Sequence, residues 1–415
     1  MNLKDKLSRL IKEFSFIRGN LLVLIISWVL FDIGFGMTWL YETPYIRGLG
    51  ASPAIIGFIS FIGLIILAIV SIPGSYIADK HGRRGIIISM TFGVALSYLF
   101  FILAPDWRYI LIGYIIENIC LIYRPALDAI TADSIPPEKR GLGYAACRVI
   151  PEIPAIASPL IAGYFVSKYG LVPGMRIVYL ITMILGLGAA MVRLLFLKET
   201  LIEAKPIKLN DLIMVYRDSV KSIIDVWRDT SPSIRLIALI SILMAIGEPI
   251  YSNYSPLYVF DIVRVSKFEW SIIVTVLNIV VLITGLPSGK LVDLIGRRSS
   301  MILAYLIFIP SEIIFILSRS FNHLMASYIL FGIASSLFMP SFQAYTADVT
   351  PREIRGRILG SIGIIRLLLE ALVSLIGGML YQLDPVYPFL LVIIIDISIL
   401  LIIVSMIREP YIKFE

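Results

Sequence analysis

The segment Pro125-Ala-Leu-Asp-Ala-Ile-Thr-Ala-Asp133 returns near the end of the chain as Pro340-Ser-Phe-Gln-Ala-Tyr-Thr-Ala-Asp348. The two copies are 215 residues apart. Proline, glutamate, arginine and glycine follow both copies at the same spacing, as Pro136, Glu138, Arg140 and Gly141 and as Pro351, Glu353, Arg355 and Gly356. Agreement at this many special residue types predicts an internal duplication of the chain.

A second pair of segments repeats at nearly the same offset. Asp79-Lys-His-Gly-Arg-Arg84 matches Asp293-Leu-Ile-Gly-Arg-Arg298, which lies 214 residues later. Both copies follow a long apolar run, so each is predicted to lie in a short loop after a membrane span. Two similar units related by an axis normal to the bilayer are a transporter architecture.

The composition places the chain in a membrane. Of its 415 residues, 58% are hydrophobic and 16% are charged, and the mean hydropathy is +0.91. A soluble chain of this size would expose about half of its residues to water, which this composition does not allow. A soluble enzyme and a nucleic-acid-binding module are therefore excluded. The two cysteines, Cys120 and Cys147, are too few for a disulfide scaffold.

Continuous apolar runs of about 20 residues, such as 86–103, predict transmembrane helices rather than the shorter alternating strands of a β-barrel. We predict twelve spans, the first over 21–44, in two pseudo-symmetric six-helix bundles of an all-α integral membrane protein. The predicted organisation is an interfacial leader (1–20), an N-terminal bundle (21–197), a linker (198–233), a C-terminal bundle (234–407) and a tail (408–415).

The basic residues predict the orientation of the chain. Of the 36 Lys and Arg residues, 26 lie in or beside the segments on the side of both termini and the linker, and 7 lie on the other side. We call these the basic side and the far side. Cytoplasmic loops carry such an excess, so we expect both termini and the linker in the cytoplasm and the chain in the plasma membrane.

The loop repeat resembles a signature of the major facilitator superfamily, Gly-x-Leu-Ala-Asp-Arg-x-Gly-Arg-Arg. The second half reads Gly289-Lys-Leu-Val-Asp293-Leu-Ile-Gly296-Arg297-Arg298. The first half reads Ser75-Tyr-Ile-Ala-Asp79-Lys-His-Gly82-Arg83-Arg84, with serine in place of the first glycine. The resemblance, with the span count and the linker, covers nearly the whole chain. It implies that superfamily's fold, a monomer, a small-molecule substrate and alternating access.

The resemblance also implies a gate at these loops. It places Asp79 against the start of the eleventh helix near Gly356 and an arginine near Asp133, with a second set in the other half. We expect these pairs to hold the cytoplasmic side shut in the outward-open state. The residues assigned to the gate are Asp79, Gly82, Arg83, Arg84, Asp133, Arg140, Gly289, Asp293, Gly296, Arg297, Arg298, Asp348 and Arg355.

Acids outnumber bases inside the predicted spans. Charges there are costly and usually face a cavity. The excess acids cannot all be ionised and paired, so some must carry protons, which makes protons the expected coupling ion and favours a cationic or neutral substrate. The acids are Asp32, Glu117, Asp128, Glu152, Glu248, Glu312, Glu370 and Asp396, and the arginines are Arg124, Arg148 and Arg366.

Position along the helices ranks the candidate residues. Asp32 lies about 16 Å into the first helix, which the resemblance places along the cavity. It is the first candidate for proton coupling, followed by Glu248, Glu152 and Glu117. Glu312 and Asp396 lie on helices that the resemblance places outermost, and we expect structural roles for them. The candidates for the substrate cavity are Arg124, Asp128, Arg148, Arg366, Glu370, Tyr123, Tyr251, Asn253 and Gln343.

These residues predict a proton-coupled secondary transporter that exports a small amphipathic or cationic compound. One alternative is an importer or exchanger of organic anions or phosphate esters that uses Arg124, Arg148 and Arg366. Others are an uncoupled facilitator and a non-transporting sensor. The sequence has no nucleotide-binding loop, and its two histidines lie in loops, so we expect no enzyme activity, no cofactor and no metal.

Overall fold

The computed structural model describes residues 13–80, 82–201, 216–217, 225, 227–228 and 230–409. No strand occurs among these residues, and twelve of their helices are long and apolar enough to span a membrane. We number them, counted through internal breaks, as α1 (Asn20–Thr38), α2 (Pro53–Lys80), α3 (Arg84–Ile102), α4 (Trp107–Ser134), α5 (Pro137–Tyr169), α6 (Leu171–Phe196), α7 (Pro232–Val263), α8 (Lys267–Ile295), α9 (Arg297–Leu317), α10 (Phe321–Val349), α11 (Arg352–Leu383) and α12 (Tyr387–Met406).

The predicted leader, linker and tail fall largely on residues outside those ranges. Residues 1–12, most of 202–229 and residues 410–415 belong to this group. Their assignment as an interfacial leader, a cytoplasmic linker and a cytoplasmic tail stays a prediction.

The first span is shorter than its apolar run predicts. α1 ends at Thr38, and after a turn a separate short helix covers Glu42–Gly48. Pro44 has no N–H and fits the first turn of this short helix, whereas it would interrupt a continuous span. The prediction of one helix over 21–44 is therefore wrong at its end.

Prolines also interrupt α4 and α5. A 3₁₀ turn at Leu121–Tyr123 precedes Pro125, which cannot donate a hydrogen bond to the turn before it. In α5 the helix continues through its internal prolines to Ala155, and a new segment starts at Ser158. The break in α5 thus lies between Pro154 and Pro159, and it divides the helix near mid-membrane.

Aromatic rings fill the far-side core of each half. In the N-terminal half, Phe101 and Tyr179 lie 4.8 Å apart between ring centroids. In the C-terminal half, Phe315 lies 5.0 Å from Phe389 and 5.1 Å from Tyr258. Such ring clusters bury large apolar areas, and they make each far-side core a tightly packed unit.

The two halves are joined at the far side. The Trp270 indole of α8 donates a 3.3 Å hydrogen bond to the carbonyl of Leu40, and the Tyr41 hydroxyl donates to the carbonyl of Lys267. A side chain at Gly57 of α2 would clash with the α11 backbone. Glycine therefore lets α2 and α11 pack at backbone contact, which closes this side.

The two halves are apart at the basic side. Six glycines of α5, α8 and α11 have no heavy atom from the rest of the described chain within 4 Å of where a Cβ would stand. On α8, Leu286 and Leu294 are 83% and 82% exposed. The described helices therefore leave an opening at this side. The six glycines are Gly141, Gly285, Gly289, Gly356, Gly360 and Gly363.

Candidate substrate cavity

A cavity between the two halves consists of two lobes. The N-lobe has a volume of about 280 Å³ and is lined mainly by the short helix and α1–α4, with α7 and α11 on its other wall. The C-lobe has a volume of about 380 Å³ and lies among α7, α9, α10 and α12. Trp39, Glu248 and Ser252 line both lobes. The lobes are therefore adjacent compartments of one site.

Tyrosine hydroxyls hold two acids in the N-lobe. Tyr114 and Tyr179 donate to the two carboxyl oxygens of Glu42, the latter at 3.4 Å. Tyr98 donates to Glu117 at 3.3 Å. Sequence reasoning missed Glu42, although it lies inside the predicted first span of 21–44, because it stands near the end of that span and no motif marks it.

Arg366 connects acids of two helices at the border of the lobes. Its guanidinium donates to Glu248 of α7 at 2.9 Å and to Glu370 of α11 at 3.1 Å. Glu370 is largely buried, with a side chain that is 13% exposed. Because two carboxylates share this guanidinium, Arg366 carries no surplus positive charge for an anionic ligand.

The other predicted same-helix pairs are weaker or absent. Arg148 and Glu152 approach to 3.7 Å, with side chains 69% and 57% exposed. Arg124 and Asp128, although both are described, do not come within 4.0 Å of each other as an ion pair. Exposed pairs of this kind contribute little to stability.

The C-lobe is lined by aromatic rings and by two acids from α9 and α12. Glu312 is 3% exposed, and its carboxyl is in hydrogen-bonding contact with that of Asp396. From the sequence we expect only structural roles for Glu312 and Asp396, whereas the structure places both acids at a cavity. The packing of α9 beside α12 turns both inward. The rings are those of Tyr251, Tyr305, Phe308, Phe315, Tyr328, Phe331 and Phe338.

Several predicted site residues line neither lobe. Asp32 is half-buried on α1, close enough to Glu152 for the two carboxyls to interact electrostatically. Asp128 and Gln343 are exposed on the part of the molecule nearer the basic side. Tyr123 is buried. Arg148 and Glu152 also line neither lobe. The other candidates do line the lobes, Glu117 and Glu248 from the proton-coupling set and Tyr251, Asn253, Arg124, Arg366 and Glu370 from the cavity set.

Arg193 is a buried cation that the sequence did not single out. It is fully buried on α6 and donates to Ser27 at 3.0 Å and to Thr91 at 2.8 Å. Its guanidinium also lies 5.3 Å from the Phe31 ring and 5.7 Å from the Tyr123 ring. From the sequence, Arg193 belongs with the basic-side charges because it lies near the end of a predicted span. Tyr123 therefore serves this contact rather than the cavity.

The loop repeat adopts the same local conformation in both halves. Gly82 and Gly296 have φ values of 95° and 88°, which glycine adopts without strain. The arginine after each glycine pairs with an aspartate inside its own half: Arg83 with Asp133, and Arg297 with Asp348 at 3.2 Å. Arg297 also lies 3.6 Å from Asp293.

The second arginine of each repeat binds the end of the last helix in its own half. Arg84 donates to the carbonyls of Leu197 and Leu194 at 2.7 and 2.8 Å, and Arg298 donates to that of Val404 at 2.6 Å. Arg355 binds the carbonyls of Ala347 and Thr350 at the end of α10 in a similar way. These contacts neutralise exposed helix ends.

A glutamate completes each loop, and the sequence did not reveal it. Glu199 accepts the backbone N–H groups of Arg83 and Arg84 at 2.9 and 2.8 Å, and Glu409 accepts those of Arg297 and Arg298 at 2.6 and 2.9 Å. Partial burial opposes the charge of Glu199, but backbone N–H donors outweigh it and lower the pKa of this carboxyl.

The predicted gate between the two halves is not formed in this conformation. No heavy atom of the described chain outside α11 lies within 4 Å of a Cβ position at Gly356, so Asp79 does not reach it. Asp79 and Arg140 have no hydrogen bond or ion pair with described residues. The described residues contain no group of three or more His, Cys, Asp or Glu side chains arranged to hold a metal ion.

Comparison with known proteins identifies the family. The model of the Major Facilitator Superfamily matches residues 24–266 and 237–413. An uncharacterized MFS-type transporter of Methanocaldococcus jannaschii is 26% identical over 360 residues, which cover 83% of this chain and 84% of that protein. The multidrug resistance protein MdtG of Enterobacter lignolyticus is 22% identical over 355 residues, covering 82% and 80%.

Solved structures share the fold at low sequence identity. A bacterial homolog of the human lysosomal transporter Spinster, in an inward-facing and unoccupied conformation, superposes with a TM-score of 0.66 at 16% identity, covering 92% of this chain and 94% of that one. A variant of the nucleoside transporter NupG gives 0.71 at 14% identity, covering 93% and 99%. Twelve apolar helices, the duplicated loops and these matches agree: the chain belongs to the Major Facilitator Superfamily and is a membrane transporter, not an enzyme.

Proposed function

We propose that the protein is a proton-coupled secondary transporter that exports a small amphipathic cation across the plasma membrane by alternating access. The observation that carries the proposal is the charge of the cavity. Six acids line the two lobes against two arginines, Arg124 and Arg366. A cavity with this excess of acids favours a positive ligand and holds groups that can bind and release protons.

The opening at the basic side supports the proposed direction. The excess of Lys and Arg assigns this side to the cytoplasm, together with both termini. The described conformation then opens toward the cytoplasm, where an exporter loads its substrate. The relative named multidrug resistance protein MdtG adds support for export. The protein works as a monomer in this proposal, since one chain carries both copies of the duplicated unit.

The anion alternative has less support from the geometry. Arg366 is shared by two carboxylates, and Arg148 lies beside Glu152 on an exposed surface. Arg124 is the one predicted arginine that lines a lobe without an ion pair to any described acid. A single guanidinium among six acids is a poor receptor for an organic acid or a phosphate ester.

Flux in proteoliposomes tests the proposal. Vesicles with an acidic lumen in alkaline buffer are given ethidium, a flat fluorescent cation, and uptake is compared with that of protein-free vesicles. We expect accumulation above the protein-free level that stops when an uncoupler collapses the pH gradient. Glu138→Gln, a change at an exposed position in the first turn of α5, serves as a matched control and should transport normally.

Other outcomes would identify the alternatives. Uptake that an uncoupler does not change would indicate a facilitator and contradict proton coupling. A requirement for a negatively charged solute, lost when Arg124 is replaced by glutamine, would indicate an anion carrier. Saturable binding without flux of any tested solute would indicate a sensor.

A further inference from the structure

The C-lobe has the features of a binding site. Neither the loop motifs nor the charged residues at the border of the two lobes account for these features. Its walls are rings at contact distance: Phe308 lies 5.3 Å from Phe331 and 6.3 Å from Phe338 between centroids. Tyr251 lies 6.2 Å from Phe331. Its volume of about 380 Å³ falls in the range of about 300–1,000 Å³ that is typical of small-molecule sites.

Polar groups in this lobe lack partners. The Glu312 and Asp396 carboxyls contact each other, and the buried Oε2 of Glu312 has no hydrogen-bond partner among the described residues. The Tyr251 hydroxyl is also buried without a hydrogen-bond partner among the described residues. Buried polar groups in proteins are almost always bonded, so the unpartnered Oε2 of Glu312 and hydroxyl of Tyr251 around one hollow indicate a ligand that supplies the missing contacts.

Chemistry limits the protonation state of the two acids. Two carboxyl oxygens attract each other only when a proton lies between them, so the contacting pair holds at least one shared proton. The other titratable or charged groups facing the pair are the hydroxyls of Tyr251, Tyr305 and Tyr328 and, at the mouth, the Glu248–Arg366 pair. Tyrosine hydroxyls are neutral near pH 7, and the cluster at the mouth sets the one guanidinium of Arg366 against the carboxyls of Glu248 and Glu370.

We propose that the C-lobe binds the aromatic body of a flat hydrophobic cation among its rings, and that the cation's charge displaces the proton shared by Glu312 and Asp396. The rings attract a cation through their faces, and the carboxyl pair gives it a desolvated counter-charge. An anion would meet the carboxyl pair with the Tyr251 hydroxyl as its one unpartnered donor among the described residues, and a polyol would leave most of its hydroxyls against rings.

The displacement is balanced in atoms and charge. The O–H bond of the shared proton breaks heterolytically, its electron pair stays on the carboxylate, and the proton passes to water. One positive charge enters the lobe as one leaves. This inference rests on the proposed function and deepens it, because it assigns the substrate charge and one exchanged proton to a site inside the C-terminal half.

Equilibrium binding tests the site without transport. Purified protein in detergent is titrated with ethidium at several pH values, and a pH-indicator dye in weak buffer records proton release. We expect one proton released per cation bound, and therefore an apparent affinity that rises up to tenfold per pH unit while the pair keeps its proton. The double variant Glu312→Gln with Asp396→Asn, nearly the same in shape, should bind at least tenfold more weakly and lose the pH dependence.

Controls keep the test decisive. Glu138→Gln should bind ethidium like the wild type. If the double variant does not fold, Phe308→Leu and Phe331→Leu, which remove rings and leave the acids, should each weaken binding several-fold while proton release per bound cation stays at one. Unchanged affinity in the acid or ring variants, or equal competition by an uncharged phenanthridine, would overturn the site.

The outcome also separates the two proposals. Binding with proton release but no gradient-driven flux would keep the C-lobe site and overturn the transport proposal. Gradient-driven ethidium flux that is unchanged in the double variant would keep the transport proposal and overturn the site.

Discussion

Arg366 of α11 donates a 2.9 Å hydrogen bond to Glu248 of α7 at the border between the two lobes of the cavity. The same guanidinium also binds Glu370 one helical turn away. The three groups form a bridge between two helices of the C-terminal half, so the arginine has a neutralising role beside the site of the proposed cation. This arrangement distinguishes a cation carrier from an anion carrier. In the first, Arg366 neutralises the neighbouring carboxylates, whereas in the second it would bind the substrate.

Replacing Arg366 by glutamine should weaken the fold without abolishing cation binding. Two carboxyls would lose their counter-charge, and because the bridge is partly exposed we expect a loss of about 2 kcal/mol, seen as a lower melting temperature in detergent. Ethidium affinity should change by less than threefold. The double variant Arg366→Gln with Glu248→Gln removes a charge of each sign and should recover part of the stability. A loss of ligand binding beyond tenfold would contradict the neutralising role.

A cluster at the far side predicts a second effect. Arg47 forms an ion pair with Asp261, and the Tyr381 hydroxyl donates to the same carboxyl at 3.1 Å. Asp261 thus joins the short helix after α1 to α7 and α11. Asp261→Asn should loosen this closure and raise the labelling rate of a cysteine placed at Val265, which is 9% exposed, several-fold toward a membrane-impermeant thiol reagent. The comparison background carries Cys120 and Cys147 as serines.

The control for this experiment is Arg108→Gln. Arg108 is 73% exposed at the far side and pairs only with Asp106 among the described residues. Labelling should stay at the wild-type rate in this variant. If Asp261→Asn also leaves the rate unchanged, the cluster does not hold the far side closed.

The glycines of α11 predict how the basic side closes. Gly360 has no heavy atom of the rest of the described chain within 4 Å of a Cβ position, whereas Gly57 and Gly378 at the far side are in backbone contact. If the halves rock, Gly360 must approach the other half when the basic side shuts. Gly360→Leu should therefore fold well, keep the basic side open and reduce flux at least tenfold.

A matched change distinguishes closure from a local effect. Gly85→Leu adds the same side chain at an exposed position of α3 with the same free space. Both variants gain helix propensity of up to about 1 kcal/mol, so both should melt at or above the wild-type temperature. Only Gly360→Leu should lose flux, and equal flux in both would contradict the predicted closure.

The fold was accessible from the sequence because its signals are long and repeated. Apolar runs define the spans, and the paired copies that begin at Pro125 and Pro340 define the duplication. The end of α1 was not accessible, since Trp39 and Tyr41 continue the apolar pattern while the chain already turns toward the short helix. Hydropathy measures transfer into a membrane and carries no information on where a helix bends.

The site was accessible only in part. Intramembrane position singled out Glu117, Glu248 and Arg366, and all three side chains line the lobes. It ranked Asp32 first, yet Asp32 lines neither lobe. The position of a residue along a helix predicts its depth in the membrane. The direction in which its side chain points depends on the rotation of the helix about its axis, which is set by packing against distant segments. The contact of Glu312 with Asp396 joins helices that are separated by two others in the chain, and no local pattern encodes such a meeting.

The hydrogen bonds that the Glu199 carboxylate accepts from the backbone of Arg83 and Arg84 predict that the stability of the fold depends on pH. The lowered pKa of this carboxyl, against an ordinary value of 4.5, means that its charge is bound more favourably in the folded chain than in the unfolded chain. Its contribution is therefore complete above the unfolded pKa and is lost as the pH falls through the lowered folded value. Because the group is partly exposed, we expect about 1 kcal/mol.

Glu199→Gln should accordingly lower the melting temperature at pH 7, and the difference from the wild type should shrink as the pH falls below about 4. Glu138→Gln, which removes an exposed carboxylate with no described partner, should show little difference at either pH. Differential scanning fluorimetry in detergent across this range measures both. A destabilisation of Glu199→Gln that stays constant down to the lowest pH would show that the carboxylate charge is not what binds the N-terminal end of α3.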